Sequence, residues 1–376
     1  MGVIVGRRLL GAALLGASAL CAQEPGRPVL DRSADRNDWT AYFDYGAAAI
    51  RARPYRADSA FYWASRLDPS RAEPLFGRWV AFWLQDIGRF EAYLRERPQT
   101  LALPGVVRAE SLYRRSLERN PFVPQHLRVL PYAALPGAWS TDVATQGWLA
   151  YAKGDYRYAL ERFARLLARD PDRYVGVRYY RALAFIPMQH YDSAGAEMRA
   201  LMATLRRRDT TATISRVYES KELVEYGIGL LAGAQGDGAG ARAAFERSLE
   251  ENLGFAPAHA ELGDLAFERR DWIAAATEYG LAVQLAPNDG WMHYRYGSLL
   301  ANIGRAGDAV PELQRAIALE PYFADSYLAL GVALEATGEF PGAIGALEDF
   351  LTRAPRRATD QIDTAQRRLT GLRASH

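Results

Sequence analysis

The sequence predicts an all-α chain built from antiparallel helix pairs stacked one on the next. Three observations predict it. Residues 256–289, 290–323 and 324–357 follow one another without a gap, and each segment is 34 residues long. Each carries glycine at its eighth position (Gly263, Gly297, Gly331) and alanine twelve residues on (Ala275, Ala309, Ala343). A bulky apolar residue comes four further (Tyr279, Leu313, Leu347), and each segment closes on a proline: Pro287, Pro321 or Pro355.

The spacing has a physical reading. Two helices of one pair cross closely only where their side chains are small, so glycine and alanine mark the crossing and the bulky residue fills the space beside it. Proline lacks the N–H needed to continue a helix and clashes with the preceding turn, so it ends the second helix. Gly304 and Gly338 mark the turn inside a pair, where glycine takes a positive φ at little cost.

The same frame recurs upstream. Residues 140–173 carry Gly147, Ala159, Phe163 and Pro171, with the turn at Gly154-Asp155. Residues 175–208 keep Ala182, Ala194 and Met198 without a closing proline, and residues 222–255 keep Gly229, Ala241 and Phe245. Residues 38–71 carry Ala57, Phe61, Ala64 and Pro69, with Gly46 one place out of register. A further pair reads as split, one helix over about 72–85 and its mate over about 106–120. Thr359 can cap a last helix with Ile362, Ala365, Leu369 and Leu372 on one face, which reads as a cap over the final repeat.

The organisation that follows is a signal peptide at 1–22 and a linker at 23–37. Aromatic-rich repeats at 38–121 contain an insertion at 86–105. A proline-containing crossing at 122–139 leads into the main array at 140–357, interrupted near 209–221, and a capping helix and tail occupy 358–376. Arg7 and Arg8 precede an apolar stretch at 9–20 that suits a secretory signal and is too short for a membrane span. Cleavage is expected after Ala22, with Ala17-Ser18-Ala19 as the second choice, so the mature chain is expected in the periplasm or cell envelope. A lipid anchor on Cys21, the single cysteine, is the lesser alternative, because Leu20 and Ser18 depart from the usual lipoprotein pattern.

The small, aromatic and proline positions resemble those of the tetratricopeptide repeat (TPR) family. The resemblance implies a right-handed superhelical solenoid of helix pairs with a capping helix, acting as a non-catalytic scaffold for another protein. In that family the first helix of each pair lines a concave groove. Carried onto this chain, the groove positions are Phe76, Trp83, Trp148, Tyr151, Tyr179, Tyr226, Trp291, Tyr294 and Arg295. Aromatic rings there would hold a peptide or partner protein by apolar contact, and Arg295 would fork onto a carboxylate. The lysine- and asparagine-rich clamp of TPR co-chaperones is absent, so binding of acidic C-termini does not carry over.

Other function classes find little support. The net charge of +2 on 376 residues supplies no basic stripe for nucleic acid. No cofactor, metal or catalytic residue is expected. Gly227-Ile228-Gly229 fits a dinucleotide fingerprint on paper, but no strand precedes it and Gly229 is already a crossing residue. His259 and His293, 34 residues apart, occupy one place in adjacent repeats without a third ligand. Two alternatives stay open: an envelope-assembly or secretion accessory factor, and an enzyme with its site in the aromatic N-terminal region.

Overall fold

The computed structural model describes residues 24–86, 104–123, 143–172, 174–208 and 220–375. The expected signal segment with Cys21, the core of the expected 86–105 insertion, most of the 122–139 crossing and most of the 209–221 interruption lie outside the described residues. Among the described residues there are seventeen α-helices and no strand.

The helices come in pairs at the positions the repeats predict. α1 (Trp39–Ala49) pairs with α2 (Pro54–Leu67), and α3 (Glu73–Gln85) with α4 (Pro104–Arg119). The main array begins with α5 (Val143–Lys153) and α6 (Tyr156–Arg169), then α7 (Val177–Phe185) and α8 (Tyr191–Arg207). It continues through α9 (Lys221–Ala234) and α10 (Gly238–Glu251), then α11 (Ala256–Glu268) and α12 (Trp272–Leu285). The last two pairs are α13 (Gly290–Asn302) with α14 (Ala306–Leu319) and α15 (Ala324–Thr337) with α16 (Phe340–Arg353). α17 (Thr359–Ser375) buries Ala365, Leu369 and Leu372 against the last pair, as a cap should.

Six crossings are a ring or leucine laid on a glycine. A Cβ added to Gly263 would come within 2.6 Å of the Tyr279 ring, and one on Gly297 within 2.7 Å of Leu313. Gly331 stands in the same relation to Leu347, Gly147 to Phe163, Gly229 to Phe245 and Gly46 to Phe61. Gly46 therefore belongs to the pattern, its one-residue offset absorbed by the short turn between α1 and α2. Protein interiors are close-packed, so the missing methyl is space that the partner side chain has taken.

In three pairs the turn is a residue in the left-handed region followed by an aspartate: Gly154-Asp155, Gly236-Asp237 and Arg270-Asp271. Gly154 and Gly236 supply the positive φ, while the side chains of Asp155 and Asp237 accept from the backbone N–H groups of Tyr158 and Gly240 to start α6 and α10. At the same place before α12 stands Arg270, with φ 60°, and before α8 stands Gln189, with φ 59°.

The chain does not run as an open array. Its first four helices fold back along the later repeats, and the two ends meet. Ser33 and Asp35 accept hydrogen bonds from Arg356, and Asp38 pairs with Arg357 at 3.0 Å. Asn37 donates to the carbonyl of Thr352 at 3.0 Å. Trp63 of α2 stands edge-on to Tyr322, in the turn between α14 and α15, with ring centroids 5.1 Å apart. Further along, Phe61, Phe76, Leu117 and Val123 share one apolar cluster with Leu223 and Tyr226 of α9 and Leu262 of α11.

Candidate interaction surface

The first helices α7 and α9 meet the folded-back N-terminal unit, and their residues show what that surface does. Tyr226, on α9, is buried between Phe245 and Phe255. Tyr179, on α7, donates its hydroxyl to the carbonyl of Pro121. Phe122 and Pro121 reach Gly227, so the end of the N-terminal unit seats on two first helices of the array. Burial raises both tyrosine hydroxyls well above their usual pKa.

The polar side of the same surface is a set of arginine–carboxylate pairs. Nη2 of Arg119 donates to both carboxylate oxygens of Asp289 at 2.6 Å, and its Nε donates to the carbonyl of Pro69 at 3.1 Å. Asp289 also caps α13, accepting from the backbone of Trp291 and Met292. Arg119 and the cap hydrogen bonds outweigh its burial, so its pKa lies below the ordinary aspartate value. Arg114 reaches Glu222 at 2.8 Å. Arg66 of α2 binds the carbonyl of Leu319 and the carboxylate of Glu320. Despite that partner, burial pushes Glu320 up to about 7, with Asp289 adding repulsion.

The residues expected to line the groove fall into two groups. Phe76, Trp83, Tyr151, Tyr179 and Tyr226 are buried in the chain's own packing. An open aromatic groove at these five positions is therefore corrected to a filled one, because the N-terminal helices and neighbouring repeats occupy it. Arg295 is likewise committed within the array. It bonds Glu261 at 3.2 Å and Asp264, and lies 5.2 Å over the Tyr279 ring. Trp148, Trp291 and Tyr294 are half-buried. Trp291 stacks on Tyr294 with centroids 5.3 Å apart, and both meet Phe323, while Trp148 packs on Phe163 and Tyr180.

Several of the N-terminal aromatics are structural. Phe61 and Trp63 are core, Trp63 donating its indole N–H to the carbonyl of Pro25, and Trp79 stacks between Phe76 and Tyr113. The two histidines each bind a glutamate of their own repeat, His259 with Glu278 at 2.8 Å and His293 with Glu312 at 2.7 Å. Among the described residues no group of three histidine, cysteine or acidic side chains is placed to hold a metal ion. No described helix is long and apolar enough to cross a membrane.

A stack of helix pairs that buries its own N-terminal helices against a run of first helices is a protein-binding repeat scaffold. The chain belongs to the tetratricopeptide repeat family, whose model matches residues 145–202, 226–290 and 294–358, together half of the sequence. A curated relative is the small glutamine-rich tetratricopeptide repeat-containing protein 2 of Mycosarcoma maydis. It is 29% identical over 86 residues, 23% of this chain and 24% of that protein, so the match spans about a quarter of the relative. Among solved structures, the C-terminal part of a TPR repeat-containing protein from Cytophaga hutchinsonii superposes with a TM-score of 0.50 at 13% identity, over 61% of this chain and 86% of that one. YrrB, a TPR protein with an unusual peptide-binding site, gives a TM-score of 0.42 at 18% identity, over 55% of this chain and all of that one. The Cytophaga likeness shows the fold.

Sequence reasoning missed Arg119, Asp289, Arg66 and Glu320. No motif announces them, because each pair joins residues of repeats far apart in the chain.

Proposed function

We propose that this chain is a non-catalytic scaffold of the bacterial cell envelope, exported after cleavage following Ala22, that binds a peptide or partner protein along its first-helix face. One observation carries the reading: the chain's own helices already occupy part of that face, using the contacts a protein ligand would use. They are a tyrosine-centred apolar cluster, arginine–carboxylate pairs and a main-chain carbonyl accepting from Tyr179. The half-buried aromatics Trp291 and Tyr294, beside Phe323, are where a partner adds to it.

The experiment is co-purification of the tagged protein from cross-linked envelopes of its host, read by mass spectrometry. A recurrent partner that is lost with Trp291→Ala and Tyr294→Ala, while circular dichroism stays unchanged, supports the reading. A partner retained by the double variant moves the binding site elsewhere, and absence of any partner above background removes the scaffold role.

A further inference from the structure

Where the N-terminal helices meet the later repeats there is a cleft of about 160 Å³. Its walls are Tyr62, Ser65 and Arg66 of α2, Arg78 of α3, Arg115 of α4 and Glu320 of the turn before α15. Three arginines thus converge on one small space with a single carboxylate among them. Two of the three are only partly committed. Arg78 spends its Nε on Asp58 at 2.9 Å, leaving both terminal nitrogens of its fork. Arg115 makes no hydrogen bond or ion pair among the described residues. Nε of Arg66 is buried with no hydrogen-bond partner. A buried donor without an acceptor is destabilising, and a polyatomic anion supplies acceptors.

We propose that this cleft binds a compact dianionic oxyanion of the phosphate or sulfate type. Planar guanidinium forks match tetrahedral oxygen pairs, which suits arginine to such an ion better than lysine. The wall carries two net positive charges with Glu320 ionised and three with it protonated. Asp58 and Glu24 hold Arg78 and Arg66 in place without standing in the wall. Glu320 is the competitor, since its carboxylate holds the Arg66 fork that an anion would take. The groups facing Glu320 are Arg66 from α2, Arg115 and Arg119 from α4, and Asp289 before α13. Asp289, its pKa held below the ordinary aspartate value, stays ionised across this range. Protonation of Glu320, which titrates near pH 7, therefore frees Arg66 for the anion. The anion in turn would hold α2, α3 and α4 against the α14–α15 turn, so occupancy stabilises the folded-back arrangement by mass action.

Calorimetric titration of the whole protein with sulfate tests this, at constant ionic strength set by chloride. Sulfate remains a dianion throughout the range and does not blur the pH dependence. The expected result is saturable one-to-one binding, weakened at least tenfold by Arg115→Ala, whose side chain is exposed and holds nothing in place. Binding should be roughly tenfold tighter at pH 6 than at pH 8, and Glu320→Gln should hold it at the tight value across that range. Titrations with phosphate and with glycerol phosphate separate the source: acceptance of both assigns an esterified phosphoryl group, and acceptance of the free ions alone assigns inorganic anion. Non-saturable heats, or binding unchanged in Arg115→Ala, overturn the proposal.

Discussion

Arg119 and Asp289 stand 170 positions apart, yet one nitrogen of the arginine holds both oxygens of the aspartate. The arginine ends α4 and the aspartate begins α13, so a single pair ties the N-terminal helices to the fifth first helix of the main run. Only 7% of the arginine side chain and 20% of the aspartate side chain are exposed. At that burial a pair is worth more than a surface bridge, and the loss of one member leaves the other uncompensated.

Arg119→Ala should therefore cost about 3 kcal/mol of stability, measured by urea unfolding. Asp289→Asn should cost less, because asparagine still caps α13 while losing only the charge. Equal midpoints for wild type and Arg119→Ala would show that the contact does not hold the unit in place.

The same contact region should have its own pH optimum. Asp289 has a lowered pKa, so its contribution is present above the ordinary aspartate value and is lost as pH falls through its folded value. Glu320 is raised from 4.5 to about 7, so its contribution is complete below 4.5 and is lost as pH rises through 7. The combined contribution of the two groups should peak near the ordinary carboxylate range, at about pH 4, and fall by about 2 kcal/mol by pH 8. Glu320→Gln should flatten the alkaline limb and leave the acid limb unchanged, as followed by thermal unfolding across pH.

The crossing glycines should tolerate no methyl. Gly229→Ala places a Cβ within 2.4 Å of the Phe245 ring, and the expected cost is roughly 1–3 kcal/mol. Adding Phe245→Leu should recover part of that loss, and the double-mutant cycle measures the coupling. Additive losses would mean that the ring is not what the glycine accommodates.

Arg270 holds φ 60° at the turn position that Gly236, Gly304 and Gly338 occupy in other repeats. Arg270→Gly should stabilise the protein by about 0.5–1 kcal/mol, because the left-handed conformation is strained for arginine and free for glycine. A lower melting temperature for the variant would contradict this reading of the turn.

The repeat was legible because it is local. Gly297, Ala309, Leu313 and Pro321 lie within one 34-residue frame, and the same physics acts on them in every copy. Even the split pair was readable, since helix period and apolar spacing do not depend on what lies between 85 and 104. The folding-back was not legible. Tyr226 and Tyr179 sit where the family places groove residues, and a sequence cannot say whether a groove position meets a partner or the chain's own Pro121. Arg295 shows the same limit: its carboxylates lie one repeat earlier, at Glu261 and Asp264, and such pairs leave no periodic trace.

The meeting of the two ends also sets an order of events during synthesis. The ribosome delivers α1 to α4 first, while Asp289, Glu320, Tyr322 and Arg356 are still unmade. At ordinary translation speeds the wait from Arg119 to Asp289 is on the order of ten seconds or more. For that interval the nascent helices carry bare tryptophan and phenylalanine surface. That surface stays uncovered until the last repeats arrive.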